Sequence, residues 1–285
     1  MTILLFIICG LCWSGFDVAR KFVSETLSTP SALGLFCCLQ IPIYIIWIQI
    51  EGATYLPNMG YFIPGIVALI LNFSANYIFF ISIKISDISK SIPMLSLTPI
   101  FSLLFSWIFV GEVPNVYQIL GCMLVSFGAI ILNGTPSLKG EKKGPYLMAL
   151  VALLWGCLGP FDKLCIQQAA IPTHILYQVV GIIILLIIIK PKEIFTLLKL
   201  KKIFPKHFSH LALGTFSAAG ALSTQLYLMN IYYVGLVEAV KRTSLLIFSL
   251  IIGNLVFKEK ITTQKLIALS IMIFGLMVFF KENIF

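Results

Sequence analysis

The sequence predicts an all-α membrane protein, ten transmembrane helices arranged as two inverted five-helix repeats. Three observations carry that expectation. The first is composition: 59% of the 285 residues are hydrophobic, 11% are charged and the mean hydropathy is +1.02, against an apolar share of about 45–50% in soluble domains. The second is spacing: charges, Pro/Gly clusters and turn residues mark off ten apolar runs, matched to a hydrocarbon core of about 30 Å at about 1.5 Å per helical residue. The third is internal repetition. Laying Glu259 of FKEK over Glu112 of VGEV superposes Ser86–Leu132 on Tyr233–Phe279 without a gap, placing Ser91 under Glu238, Ser102 under Ser249, Ser106 under Gly253 and Gly128 under Gly275. Five spans per half is an odd number, so a duplicated half enters the membrane in the opposite sense.

In chain order the spans are expected at 2–22, 30–50, 60–82, 88–110, 115–133, 145–166, 173–190, 208–232, 235–257 and 262–280. Residues 1–133 make the first repeat, 134–144 a linker and 145–285 the second. The first span follows Met1 without the basic flank or small-residue cleavage site of a signal peptide, so it is expected to be retained. Span one carries WSGFD from Trp13 to Asp17, and span six carries WGCLGPFDK from Trp155 to Lys163. Both read as helices interrupted by Gly or Gly-Pro just after a Trp. Interruptions at matching places in two halves point to a central site, because a break frees backbone groups that a cavity or ligand must satisfy. Asp17, Arg20, Lys21, Asp162 and Lys163 read equally well as helix ends at the water interface.

Span three carries Asn72, Asn76 and Tyr77, and span eight Ser217, Gln225 and Tyr227, available for interhelical bonds or for a solute. Pro93 and Pro99 are expected to bend span four. Short connectors elsewhere predict that consecutive helices pack as antiparallel neighbours. Span nine is the most informative. No charge interrupts Thr243–Phe257, yet Glu238, Lys241 and Arg242 precede it at i, i+3 and i+4, on one face that continues through Ser249 and Gly253. Charges at membrane depth cost at least a few kcal/mol each unless paired or facing a wet cavity. The cluster is therefore a candidate substrate site, with self-satisfaction of the Glu–Arg pair as the bland alternative.

Sixteen of the twenty Lys and Arg residues follow odd-numbered spans; Lys163, Lys241, Arg242 and Lys281 do not. By the positive-inside rule both termini are then outside and the Lys-rich 190–207 connector is cytoplasmic. The net charge of +9 reads as loop charge beside anionic lipid, and nucleic acid is not expected as a partner. The seven cysteines lie in apolar runs and read as small packing residues. No metal, cofactor or phosphate-binding motif is visible, nor a nucleophile with a base, and an enzyme is not expected.

The stretches VGEVPNVYQILGCMLVSFGAII and FKEKITTQKLIALSIMIFGLMVFF, with a Trp-led start to each half, resemble the paired helix-loop-helix signatures of EamA-type members of the drug/metabolite transporter superfamily. The resemblance covers nearly the whole chain. It implies ten helices, a central cavity, alternating access in the cell (inner) membrane and cytoplasmic termini, the last in conflict with the charge count. Val240-Lys241-Arg242 resembles the Lys-Arg pair that holds phosphate in triose-phosphate translocators, but the expected Lys of helix four is replaced by Leu95 and Thr98. The expected function is secondary transport of a small polar metabolite: an amino acid, a nucleotide-related compound or another anionic or zwitterionic solute, with a proton or counter-substrate as coupling partner. Trp13, Asp17, Asn76, Tyr77, Trp155, Gln225, Glu238, Lys241 and Arg242 are the expected binding residues. A flippase for lipid-linked head groups, a phosphorylated-metabolite antiporter and a membrane-embedded enzyme are the alternatives. Substrate, direction of flux and oligomeric state are not legible.

Overall fold

Apolar runs closed by turn residues and charges fold as helices throughout. The computed structural model describes residues 2–24, 26–85, 92–133, 143–195, 204–257 and 262–281, and among these no strand occurs. The helices are α1 (Thr2–Ser24), α2 (Thr29–Glu51), α3 (Phe62–Ile85), α4 (Thr98–Val110), α5 (Val116–Asn133), α6 (Lys143–Ile166), α7 (Ile171–Ile189), α8 (Phe204–Ile231), α9 (Val234–Phe257) and α10 (Thr263–Phe280). A short helix, Pro191–Phe195, follows α7, and 3-10 turns at Met59–Tyr61 and Ile92–Leu97 lead into α3 and α4. Among the described residues, five helical segments are long and apolar enough to cross a membrane: α2, Met59–Ser82, α6, α7 and α10. Exposed Ile63, Ile66 and Ile70, three and four apart on α3, give that helix an apolar outer face suited to acyl chains.

Three sequence expectations are corrected. Helices α1 and α6 run through their Trp-Gly segments without a break. Gly156 is where α6 meets α4: a Cβ there would lie 2.4 Å from Phe101 Cβ and 3.1 Å from the Ser102 nitrogen. The glycine permits close approach and the helix continues. Pro160 does sit inside α6, where its missing N–H leaves the Gly156 carbonyl without its usual i+4 donor. Second, span four is not a bent helix. It is a 3-10 turn followed by α4, with Pro99 in the first helical turn, where a missing N–H costs nothing; residues 86–91 lie outside the described set. Third, consecutive helices do meet, α1 with α2, α4 with α5 and α9 with α10, but the most extensive pairings are not between neighbours in sequence. They join α5 to α10, α2 to α7 and α4 to α9, the equivalent helices of the two repeats.

The α5/α10 seam carries the mark of the duplication. The alignment that puts Glu259 on Glu112 also puts Gly275 on Gly128, Ala268 on Gly121 and Met272 on Val125. A Cβ on Gly128 would lie 2.8 Å from the Ala268 carbonyl oxygen and 3.1 Å from the Met272 nitrogen. A Cβ on Gly275 would lie 2.9 Å from the Gly121 oxygen and 3.0 Å from the Val125 nitrogen. Exchanging the two repeats thus carries each contact into the other, as a two-fold relation requires.

The chain divides into two compact units, residues 1–73 with 164–230 and residues 74–163 with 231–285. Neither is a sequence half: each draws on both repeats. In the first unit, the connection after α2 is fastened to the α6–α7 turn. Asn58 N–H donates to the Gln168 carbonyl (3.0 Å), Thr173 Oγ1 to the Thr54 carbonyl (2.7 Å), and the buried Tyr61 hydroxyl meets His174 Nδ1 at 3.0 Å.

Candidate functional site

Of the residues expected to bind solute, Trp13, Asp17 and Gln225 lie in the first unit. Helices α1 and α8 approach closely there, Gly15 lying against the Ser217 side chain and Gly220 against Cys12. Trp13 Nε1–H donates to Gln225 Oε1 at 2.9 Å, so two residues 212 positions apart are partners. One turn along, Asp17 accepts from the Arg20 guanidinium, which also stacks 4.5 Å over the Phe16 ring. The Asp17 side chain keeps 39% of its exposure while that of Arg20 keeps 7%. Arg20 is therefore not at an open helix end, and the interface reading is corrected for it; the Lys21 side chain lies outside the described residues. The buried hydroxyls of Ser14 on α1 and Thr215 on α8 have no hydrogen-bond partner among the described residues, a condition that calls for water or a ligand.

In the second unit are Asn76, Tyr77, Trp155, Glu238, Lys241 and Arg242. Asn76 and Tyr77 are half-buried on α3, and Trp155 of α6 packs on Phe79 of the same helix, ring centroids 5.5 Å apart. On α9, Lys241 Nζ donates to Glu238 Oε1 at 2.5 Å, the i, i+3 member of the expected spacing. Glu238 is 2% exposed and Arg242 8%. The first two turns are buried all round, with Val234, Leu236, Val237 and Ala239 inaccessible. The continuation of the polar face through Ser249 and Gly253 lies outside the described side chains.

A further charged cluster in this unit is assembled from residues that the sequence did not bring together. Lys163 at the end of α6 donates to Glu112 Oε1 (2.5 Å) and to the Tyr232 carbonyl (2.9 Å), while Glu112 Oε2 accepts from Val234 N–H at 2.9 Å. The Lys163 side chain is only 13% exposed, and Asp162 is buried too, so neither marks a helix end in water. Glu112 had a signal: it anchors the repeat alignment. Nothing in its spacing named Lys163. Among the described residues, no three His, Cys, Asp or Glu side chains gather as a metal site.

Comparison with known proteins accords with this arrangement. A search of curated proteins finds no match. Twenty-nine solved chains match. One, a crystal structure described only as that of a protein, aligns with a TM-score of 0.75 at 16% identity over 97% of each chain, which shows a shared fold. The EamA-like transporter family model matches residues 1–134 and again 142–281. With both matches together spanning nearly the whole sequence, the chain belongs to the EamA-like transporter family.

Proposed function

We propose that this membrane transporter crosses the bilayer ten times as two inverted five-helix repeats, 1–133 and 145–285 joined by 134–144, and moves a small polar solute by alternating access. The pairing of equivalent helices, and the contacts at Gly128 and Gly275 that exchange into one another, support inversion. The observation that carries the solute reading is the burial of Glu238, Lys241 and Arg242 near the start of an otherwise apolar α9. The formal charges of Glu238, Lys241 and Arg242 sum to +1, which favours a carboxylate, a phosphate or a zwitterion presenting one. Within the same unit, Asn76 and Tyr77 of α3 and Trp155 of α6 supply hydrogen-bonding and stacking groups for the rest of such a molecule.

The test has two steps. Amino acids, nucleotides and sugar phosphates are screened for thermal stabilisation of the purified protein, since a compound that binds only the folded state stabilises it by about 2.7 kcal/mol at a hundredfold excess over its Kd. The best of them is then followed into proteoliposomes. Lys241→Ala is expected to abolish uptake while leaving membrane expression unchanged; uptake equal to the native protein's sinks the assignment.

A further inference from the structure

Helix α9 begins in an awkward place. The first N–H groups of any helix lack intrahelical acceptors. Here the first helical bond runs from Val237 N–H to the Tyr233 carbonyl (3.1 Å), while Val234 and Leu236 are fully buried. Residue 233, preceding the helix, is a Tyr, whose side chain is not one of the short oxygen-bearing caps. The acceptor comes instead from Glu112, 122 residues earlier. Gly111, at φ 78°, ends α4, and Glu112 N–H turns back to the Ser106 carbonyl at 3.2 Å, leaving the carboxylate at the helix end. The negative charge also suits the positive end of the α9 dipole. Lys163 neutralises that carboxylate and holds the Tyr232 carbonyl, fixing the turn from the other side. The same turn is seated by Gly235, where an added Cβ would lie 2.8 Å from Leu103 Cδ1.

We infer that Glu112 and Lys163 are positioning residues for α9, setting the rotation and height of the turn that presents Glu238 and Lys241. Glu238 lies four residues, about one turn or 6 Å, beyond Val234, so a frayed first turn displaces it directly. The two residues also occupy telling points of the chain. Lys163 is the last residue of the second unit before α6 passes into the first, and Ile231, beside Tyr232, is where the chain returns. That α9 then acts on solute rests on the proposed function; the positioning itself does not.

Hydrogen exchange read by mass spectrometry on the full-length protein in lipid nanodiscs tests this without any substrate. Glu112→Ala is expected to speed exchange in a peptide covering Val234–Lys241 at least tenfold, with peptides from α5 and α10 unchanged. Glu112→Gln, whose amide oxygen still accepts from Val234 N–H, is expected to stay within about twofold of the native rate. Lys163→Met is expected to fall between. The double swap Glu112→Lys with Lys163→Glu restores the ion pair but offers only a donor at position 112, so it is expected to exchange as fast as Glu112→Ala. A flat response to Glu112→Ala overturns the inference, as does full protection in the swap. If Glu112→Ala does not fold, Glu112→Gln and Lys163→Met decide: loss of protection in the first, or none in the second, overturns it. Active Lys241→Ala with this exchange pattern intact would remove the solute reading alone. A flat pattern with Lys241→Ala inactive would remove the positioning assignment alone.

Discussion

At the scale of the residue, the polar contacts divide into those made within one turn of helix and those closed only by the fold. Periodicity put Glu238 and Lys241 on one helical face, and they are bonded at 2.5 Å. A spacing of three is local information that a single sequence contains. Trp13 stands out as the Trp that opens the WSGFD stretch and Gln225 as a polar group in an apolar span, but their bond closes over 212 residues and no local pattern encodes it. Lys163 was misread for the same reason: beside a helix end a Lys resembles a snorkelling side chain, and only the fold brings Glu112 to it. The Trp13–Gln225 bond gives a prediction at this scale. Gln225→Leu keeps the volume and removes the Oε1 acceptor of the indole N–H, a hydrogen bond that in membrane proteins contributes about 0.6 kcal/mol on average and up to about 1.7. A small fall in the melting temperature of the detergent-purified protein is expected, larger than that from Gln225→Glu, which keeps an acceptor. Equal melting of Gln225→Leu and the native protein would show that the bond contributes nothing.

At the scale of the element, glycine was the residue most easily misjudged. In one sequence a Gly that breaks a helix and a Gly that lets another helix touch it look alike, because both are a missing Cβ. Which role applies depends on what lies opposite. For Gly156 it is the backbone and Cβ of Phe101, on a neighbouring helix that cannot move as a flexible side chain can. Gly156→Leu is therefore expected to separate α6 from α4 and to cost at the upper end of the 1–3 kcal/mol typical of overpacking, or about 3 kcal/mol. Membrane yield and melting temperature should both fall sharply. Gly52 supplies the control: its φ of 65° caps α2 and nothing lies within 4 Å, so Gly52→Asn, which tolerates that region, is expected to leave both nearly unchanged. If Gly156→Leu behaved like Gly52→Asn, the close α4/α6 crossing would be wrong. Proline is as easily misjudged: Pro99, expected to bend span four, sits instead in the first turn of α4, where its missing N–H costs nothing.

At the scale of the whole molecule, duplication is the organising fact, and orientation is its sharpest consequence. The repeat is visible because Glu112 and Glu259, Ser102 and Ser249, and Gly128 and Gly275 fall at equivalent positions, and the Gly128 and Gly275 contacts return as a reciprocal pair. The division into two compact units was not visible, since it cuts across both repeats at residues 73, 163 and 230, where the sequence shows no linker. The proposed inversion allows the two halves to differ in which loops hold positive charge, and here the asymmetry is steep: of twenty Lys and Arg residues, all but Lys163, Lys241, Arg242 and Lys281 lie in or beside the connectors after odd-numbered spans. Lys163 and Lys241 are held in ion pairs within the protein and Arg242 is buried, so three of those four do not act as free loop charges at all. Removing them, and Arg20, which is equally buried in an ion pair on the other side of the count, leaves fifteen against one, and because loop Lys and Arg set orientation where Asp and Glu contribute little, the proposed arrangement would have both termini outside, against the cytoplasmic termini that the family resemblance implies. Alkaline phosphatase fused after Phe285 is expected to be active and a green fluorescent protein fused there dark. The opposite pair of results would mean that the charge rule fails for this chain. Moving charge supplies the mechanism's own check: replacing Lys199, Lys201 and Lys202 by Gln in the 190–207 connector is expected to produce a mixed population with both reporters partly active, and a bright fluorescent fusion in the native protein would reverse every side assigned to a loop.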